Sequence, residues 1–166
     1  MYSFDKVTDG LYLGNELTAC KKQLLKRGQV THILIAGVEL TPHFPDEFQY
    51  LRLAMKDSPS EDLLRHLEQA IAFIDQARAV GGTVFIHCFQ GVSRSSALAI
   101  GFLMHKERLS FVSAYRLVKE RHVETTPNPG FICQLMSYEK KVRQLNWLRS
   151  EEDRRQRSKS CACVMF

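Results

Sequence analysis

The sequence lacks any long apolar run. Nothing in it approaches the ~18 consecutive apolar residues of a membrane-spanning helix, so no transmembrane segment is predicted. Its first residues, Met1-Tyr2-Ser3-Phe4-Asp5, show neither the basic nor the apolar region of a secretory signal. Tyr2 stands where N-myristoylation needs Gly. Cysteine is sparse and odd in number: Cys20, Cys88, Cys133, Cys161 and Cys163. No CxxC meets a second CxxC or an HxxxH, so no structural zinc site is assigned, and a reduced, cytoplasmic protein is expected. Cys20 and Cys133 read as core residues. The net charge is +5, and Arg154, Arg155, Arg157 and Lys159 cluster near the end. The body therefore lacks the basic surface that tracks nucleic acid, and no nucleic-acid partner is expected.

What is present suits one domain. The chain has 166 residues, of which 45% are hydrophobic, enough for one core. Gly10 to Gly14 reads as a short strand. Asn15 caps a helix through about Arg27, which Gly28 stops. Val30–Ile35, Phe48–Leu53 and Thr83–His87 read as strands. Ser60, with Glu61 and Asp62, starts an amphipathic helix ending near Gly81-Gly82. Helices follow from Arg94 to about Glu107, from Ser110 to about Arg121, and from about Phe131 to Leu148. Strands alternating with helices predict an α/β fold with a central, mostly parallel sheet of four to five strands flanked by helices. Residues 1–148 form that domain. Residues 149–166, polar and aperiodic, are expected to be a disordered basic tail.

The run His87-Cys88-Phe89-Gln90-Gly91-Val92-Ser93-Arg94-Ser95 carries the chemistry. Cys and Arg at this spacing mean little alone. With His before, Gly between and Ser after, chance falls to on the order of one chain in 10⁵. The run joins a strand to a helix, where unpaired N–H groups and the positive dipole end face a ligand. A phosphate dianion needs such donors, which Phe89, Gln90, Gly91, Val92 and Ser93 supply from the backbone. Gly91 permits a conformation a β-carbon resists. Arg94 grips two phosphate oxygens at once, which Lys does not do. The same field favours a thiolate at Cys88, the expected nucleophile. Ser95 is placed to stabilise the sulfur as it leaves. His87 is expected to orient the loop through backbone contacts.

The leaving oxygen needs a proton. Asp57 is the candidate general acid and base, because its loop follows one parallel strand and lies on the same sheet edge as Cys88. Spacing alone leaves it open whether Asp57 is catalytic or a turn residue in Lys56-Asp57-Ser58-Pro59.

These residues resemble the atypical dual-specificity protein phosphatases, within the cysteine-based protein-tyrosine phosphatase superfamily. The resemblance spans about residues 4–147. It rests on the Cys88 loop, on Gly10-Leu11-Tyr12-Leu13-Gly14, on Ala54-Met55-Lys56-Asp57-Ser58-Pro59, and on Asn128-Pro129-Gly130-Phe131 with Gln134-Leu135. It implies that Asp57 is the acid and that Asn128 braces the phosphate loop. It also implies hydrolysis of phosphotyrosine and phosphoserine or phosphothreonine on phosphorylated proteins, through a phosphocysteine, with no metal and no cofactor. Two alternatives stay open: a pseudophosphatase that only binds phosphate, and a phosphatase for a lipid or an RNA 5′ end. The absence of Lys among Phe89, Gln90 and Val92 speaks against a lipid.

The ending Cys163-Val164-Met165-Phe166 is a prenylation-type motif. One lipid anchors weakly. The basic cluster and Cys161, a candidate palmitoylation site, supply second signals for association with a membrane surface.

Overall fold

The computed structural model describes the backbone of residues 1–162 and the side chains of residues 1–144 and 151. Five strands form one sheet: β1 (Phe4–Thr8), β2 (Leu11–Asn15), β3 (His32–Ala36), β4 (Gln49–Leu53) and β5 (Val84–Cys88). Their spatial order is β1-β2-β5-β3-β4. β1 pairs antiparallel with β2, and the other pairs are parallel. The inner strands β3 and β5 are buried along their whole length, as expected of parallel strands covered on both faces.

Alternate residues feed two cores. Leu34, Ile86 and Leu13 pack with the helices α3 (Leu63–Ala79), α4 (Arg94–Lys106), α5 (Phe111–Arg121) and α6 (Pro129–Ala162). Ile33, Ile35 and Phe85 pack on the other face. That face is covered by the short helices α1 (Glu16–Ala19) and α2 (Lys22–Arg27). The helix α4 threads the larger core with every residue from Arg94 to Met104 buried.

The register places four carboxyl ends together. Asn15 pairs with Cys88, Ile35 with His87, and Ala36 with Leu53. The segments leaving these strands, from residues 16, 37, 54 and 89, therefore meet on one edge.

Several expectations need correction. The strand β1 has no clear sequence signal: Asp5 and Lys6 hide its alternation, and a register shift between Lys6 and Thr8 interrupts it further. The helix after Asn15 is two helices. Asn15 Oδ1 accepts from Thr18 N–H as expected of a cap, but Lys21 leaves helical geometry at φ −106° and ψ 77°. The third helix begins at Leu63 rather than Ser60, with Asp62 as its cap through Arg65 N–H. The last helix continues through Ala162, where disorder is expected after Leu148. Glu, Arg, Gln and Lys dominate that stretch and are strong helix formers, which the aperiodic pattern conceals. Cys20 and Cys133 are exposed, not core: one follows α1 and the other lies on the outer side of α6. Cys163 lies outside the described residues, as does the side chain of Cys161.

Candidate active site

The loop from Cys88 to Arg94 joins β5 to α4. Gly91 takes φ +78°, the left-handed region, and a β-carbon there would lie 2.7 Å from Gly14 O. Glycine is thus required twice over, by conformation and by contact. Carbonyls of the loop are taken from behind. Glu16 N–H donates to Phe89 O at 3.2 Å, Thr126 N–H to Val92 O at 2.9 Å, and the buried His122 Nε2 to Gly91 O at 2.6 Å. With carbonyls engaged outward, the amides are left to face inward. Phe89 and Gln90 are exposed at the rim, while Gly91 and Ser93 are buried.

Cys88 Sγ sits under this loop, 2% exposed. Gly91 N–H donates to it at 3.2 Å, and Ser95 Oγ lies 3.3 Å away. Ser93 is the N-cap residue of α4, yet its hydroxyl makes no capping bond. It donates instead to Asp57 Oδ1 at 2.7 Å, so the first N–H groups of the helix stay available to an anion.

Arg94 is oriented by two groups that local sequence does not announce. Glu39, in the β3–β4 loop, binds it bidentately: Nη1 to Oε2 at 2.9 Å and Nη2 to Oε1 at 2.6 Å. Met55 O accepts from Nη1 at 3.2 Å. Nε is buried without a hydrogen-bond partner among the described residues. These contacts use both hydrogens of Nη1 and one of Nη2. Nε–H and the second Nη2–H remain, side by side on one edge, the fork that fits two oxygens of a tetrahedral anion. The Arg94 hydrogen bond holds the Glu39 carboxyl below its ordinary range, against the opposing effect of burial.

Asp57 is exposed, on a loop pinned at several points. Met55 is fully buried. Gln134 accepts from Leu63 N–H and donates to Glu61 O, each at 2.8 Å. At Gly130 a β-carbon would stand 2.1 Å from Pro59 O, so glycine allows α6 to close on the loop. Asn128 Nδ2 donates to Asp57 Oδ1 at 2.9 Å, and Asn128 N–H donates to Ser93 Oγ at 3.0 Å. Asn128 thus ties the Asp57 loop, through its side chain, to the Cys88–Arg94 loop, through its backbone N–H. His87 stacks on Phe85 at 5.5 Å. Burial pushes its pKa down to about 4, and neither ring nitrogen is hydrogen-bonded among the described residues.

His122 escapes sequence reasoning. Its Nδ1 lies 2.7 Å from Asp5 Oδ2 while Nε2 holds Gly91 O. Nothing in the chain near residue 122 signals this, because Asp5 comes from β1, a strand without a clear sequence signal. Glu39 escapes it for the same reason: its partner is 55 residues away.

A strand, a seven-residue loop with a buried thiol and arginine, and a following helix are what cysteine-based phosphate hydrolysis requires. The family profile for the catalytic domain of dual specificity phosphatases matches residues 11–141. Dual specificity protein phosphatase 1B of Arabidopsis thaliana is 39% identical over 137 residues, covering 82% of each chain. The protein-tyrosine-phosphatase MKP1 of the same plant is 40% identical over 138 residues, but this chain spans only 18% of its length. The crystal structure of human DUSP28 superposes with a TM-score of 0.81 at 32% identity, covering 84% of this chain and 95% of that one. This chain belongs to the dual specificity phosphatase family and is a protein phosphatase. Among the described residues, no helix is long and apolar enough to cross a membrane.

Proposed function

We propose that this phosphatase hydrolyses phosphotyrosine and phosphoserine or phosphothreonine on proteins through a phosphocysteine at Cys88. The observation that carries this reading is the pairing of a buried sulfur, contacted by Gly91 N–H and Ser95 Oγ, with an Arg94 edge whose Nε has no other partner among the described residues. The phosphate enters on the inward amides of residues 89–93 and the free fork of Arg94. The Cys88 thiolate attacks phosphorus, and the P–O bond to the substrate breaks. Asp57, as the acid, gives its proton to the departing oxygen. Asp57, now a carboxylate, takes a proton from water as that water attacks phosphorus. The P–S bond breaks, and Ser95 donates a hydrogen bond to the returning thiolate. The equatorial oxygens gain charge in both steps, where Arg94 and the amides stabilise it. Residues 1–148 would contain all of this machinery.

The test is turnover of aryl phosphates and phosphopeptides. Cys88→Ser should abolish it. Asp57→Ala should lower kcat by roughly 10²–10⁴ while retaining binding. A quenched reaction should trap phosphate on Cys88. Unchanged turnover in Cys88→Ser, or a faster rate on phosphoinositides or RNA 5′ ends than on phosphopeptides, would refute the reading.

The proposal extends to the tail. Cys163 would carry a prenyl group, supported by Cys161 palmitoylation and the basic cluster Arg154 to Lys159. Cys163→Ser should then shift the protein from membrane to soluble fractions. A distribution unmoved by this change would remove the claim.

A further inference from the structure

We propose that Glu16, Cys20 and His43 form a binding site for zinc-class divalent cations beside the phosphate loop. Glu16 opens α1, and Cys20 follows one turn later on the same side. His43 reaches them from the β3–β4 loop. Its Nε2 lies 2.5 Å from Glu16 Oε1 and 3.3 Å from Cys20 Sγ. All three donor atoms fall within 4.8 Å of one another. Tetrahedral zinc, with bonds of about 2.0–2.3 Å, sets neighbouring donors about 3.3–3.6 Å apart. The sulfur–nitrogen pair already stands at that separation. The carboxylate oxygen need only retreat by roughly 1 Å.

A second observation points to a cation. Glu16 Oε2 is buried and has no hydrogen-bond partner among the described residues. His87 Nδ1 lies 3.3 Å from it, yet outside hydrogen-bond geometry. A divalent cation gives the Glu16 carboxylate a partner and binds the Cys20 sulfur directly. Thiolate, imidazole and carboxylate together select zinc over magnesium or calcium, and three protein ligands leave the fourth position to water.

The location gives the site a consequence. Glu16 N–H holds the carbonyl of Phe89, the residue after Cys88. The loop bearing His43 also bears Glu39, the partner of Arg94. A bound cation ties these two segments together.

The test uses the full chain with Cys88, Cys161 and Cys163 changed to Ser, which leaves Cys20 and Cys133 as thiols. Cobalt(II) is titrated in, and the thiolate-to-cobalt charge-transfer and tetrahedral d–d bands are read. Zinc is then added in competition. Saturation at one cobalt per chain is expected, with the thiolate band abolished by Cys20→Ser and unchanged by Cys133→Ser. His43→Ala and Glu16→Gln should each weaken binding by about tenfold or more. No saturable band, a band that survives Cys20→Ser, or affinity unmoved by His43→Ala would overturn the proposal. A measurement free of folding effects uses the unaltered protein. Zinc should slow alkylation of Cys20 but not of Cys133, and equal rates with and without zinc would equally overturn it.

Discussion

Glu39 holds Arg94 at two points, Nη1 to Oε2 at 2.9 Å and Nη2 to Oε1 at 2.6 Å, and so leaves the Nε edge free of partners among the described residues. Glu39→Gln keeps the shape but loses one acceptor and the charge. The guanidinium then samples other rotamers, and its fork is presented only part of the time. We expect kcat/KM to fall by roughly tenfold, about 1.4 kcal/mol, with KM for phosphopeptides rising. An unchanged KM and kcat would show that Arg94 needs no such support. The pair also sets a pH dependence. Glu39 titrates below its ordinary value of 4.5. A depressed carboxylate stabilises the fold above its unfolded pKa and loses that contribution as pH falls through the folded one. Thermal melts below about pH 4.5 should therefore flatten in Glu39→Gln relative to the parent.

Ser93, Asn128 and Asp57 share one oxygen, Asp57 Oδ1. Removing either donor frees an exposed carboxyl on a loop that is otherwise pinned. A misplaced acid matters most when the leaving group is a poor one. Ser93→Ala and Asn128→Ala should therefore slow alkyl phosphates, such as phosphoserine peptides, by about tenfold more than activated aryl phosphates. Equal slowing of both substrates would assign these residues to loop stability instead.

His122 places its two ring nitrogens against two acceptors, Asp5 Oδ2 and Gly91 O. Its side chain is fully buried. His122→Ala leaves Gly91 O inside the protein without its donor, which costs about 1–3 kcal/mol. Urea denaturation should read that loss, together with a fall in kcat. Asp5→Ala should show part of the same effect, and the double variant less than the sum of the two. Strict additivity would show that the two side chains act separately.

His87 is buried neutral, with its pKa lowered from 6.5 to about 4. Between those values the unfolded chain binds a proton that the folded chain does not. Stability therefore falls as pH drops from about 6.5 to 4, by roughly 3 kcal/mol from this group alone. His87→Gln removes the titration. Its unfolding free energy, followed from pH 7 to pH 4, should decline less steeply than the parent's. Parallel pH curves would assign the acid sensitivity to other groups.

Contiguity decided what was readable in advance. Cys88, Gly91, Arg94 and Ser95 are neighbours in the chain, so the strand, loop and helix that arrange them are local events with local signals. Asp57 falls on the correct edge because parallel strands send their following loops the same way, as the Ala36–Leu53 and Asn15–Cys88 registers bear out. The sequence alone therefore determined the α/β class, the strand–loop–helix around Cys88 and the family. Only the tertiary structure decided what holds that loop. Glu39, His122 and the Met55 carbonyl arrive from separate elements, and their partners lie 31 to 55 residues away in the chain. The Ser93 hydroxyl is likewise engaged from a distance: Ser93 stands at the N-cap of α4, yet its hydroxyl donates to a carboxylate 36 residues away. Hydrogen bonds of this kind cost nothing in local conformation and leave no periodic trace. They exist only once the sheet has brought its carboxyl ends together.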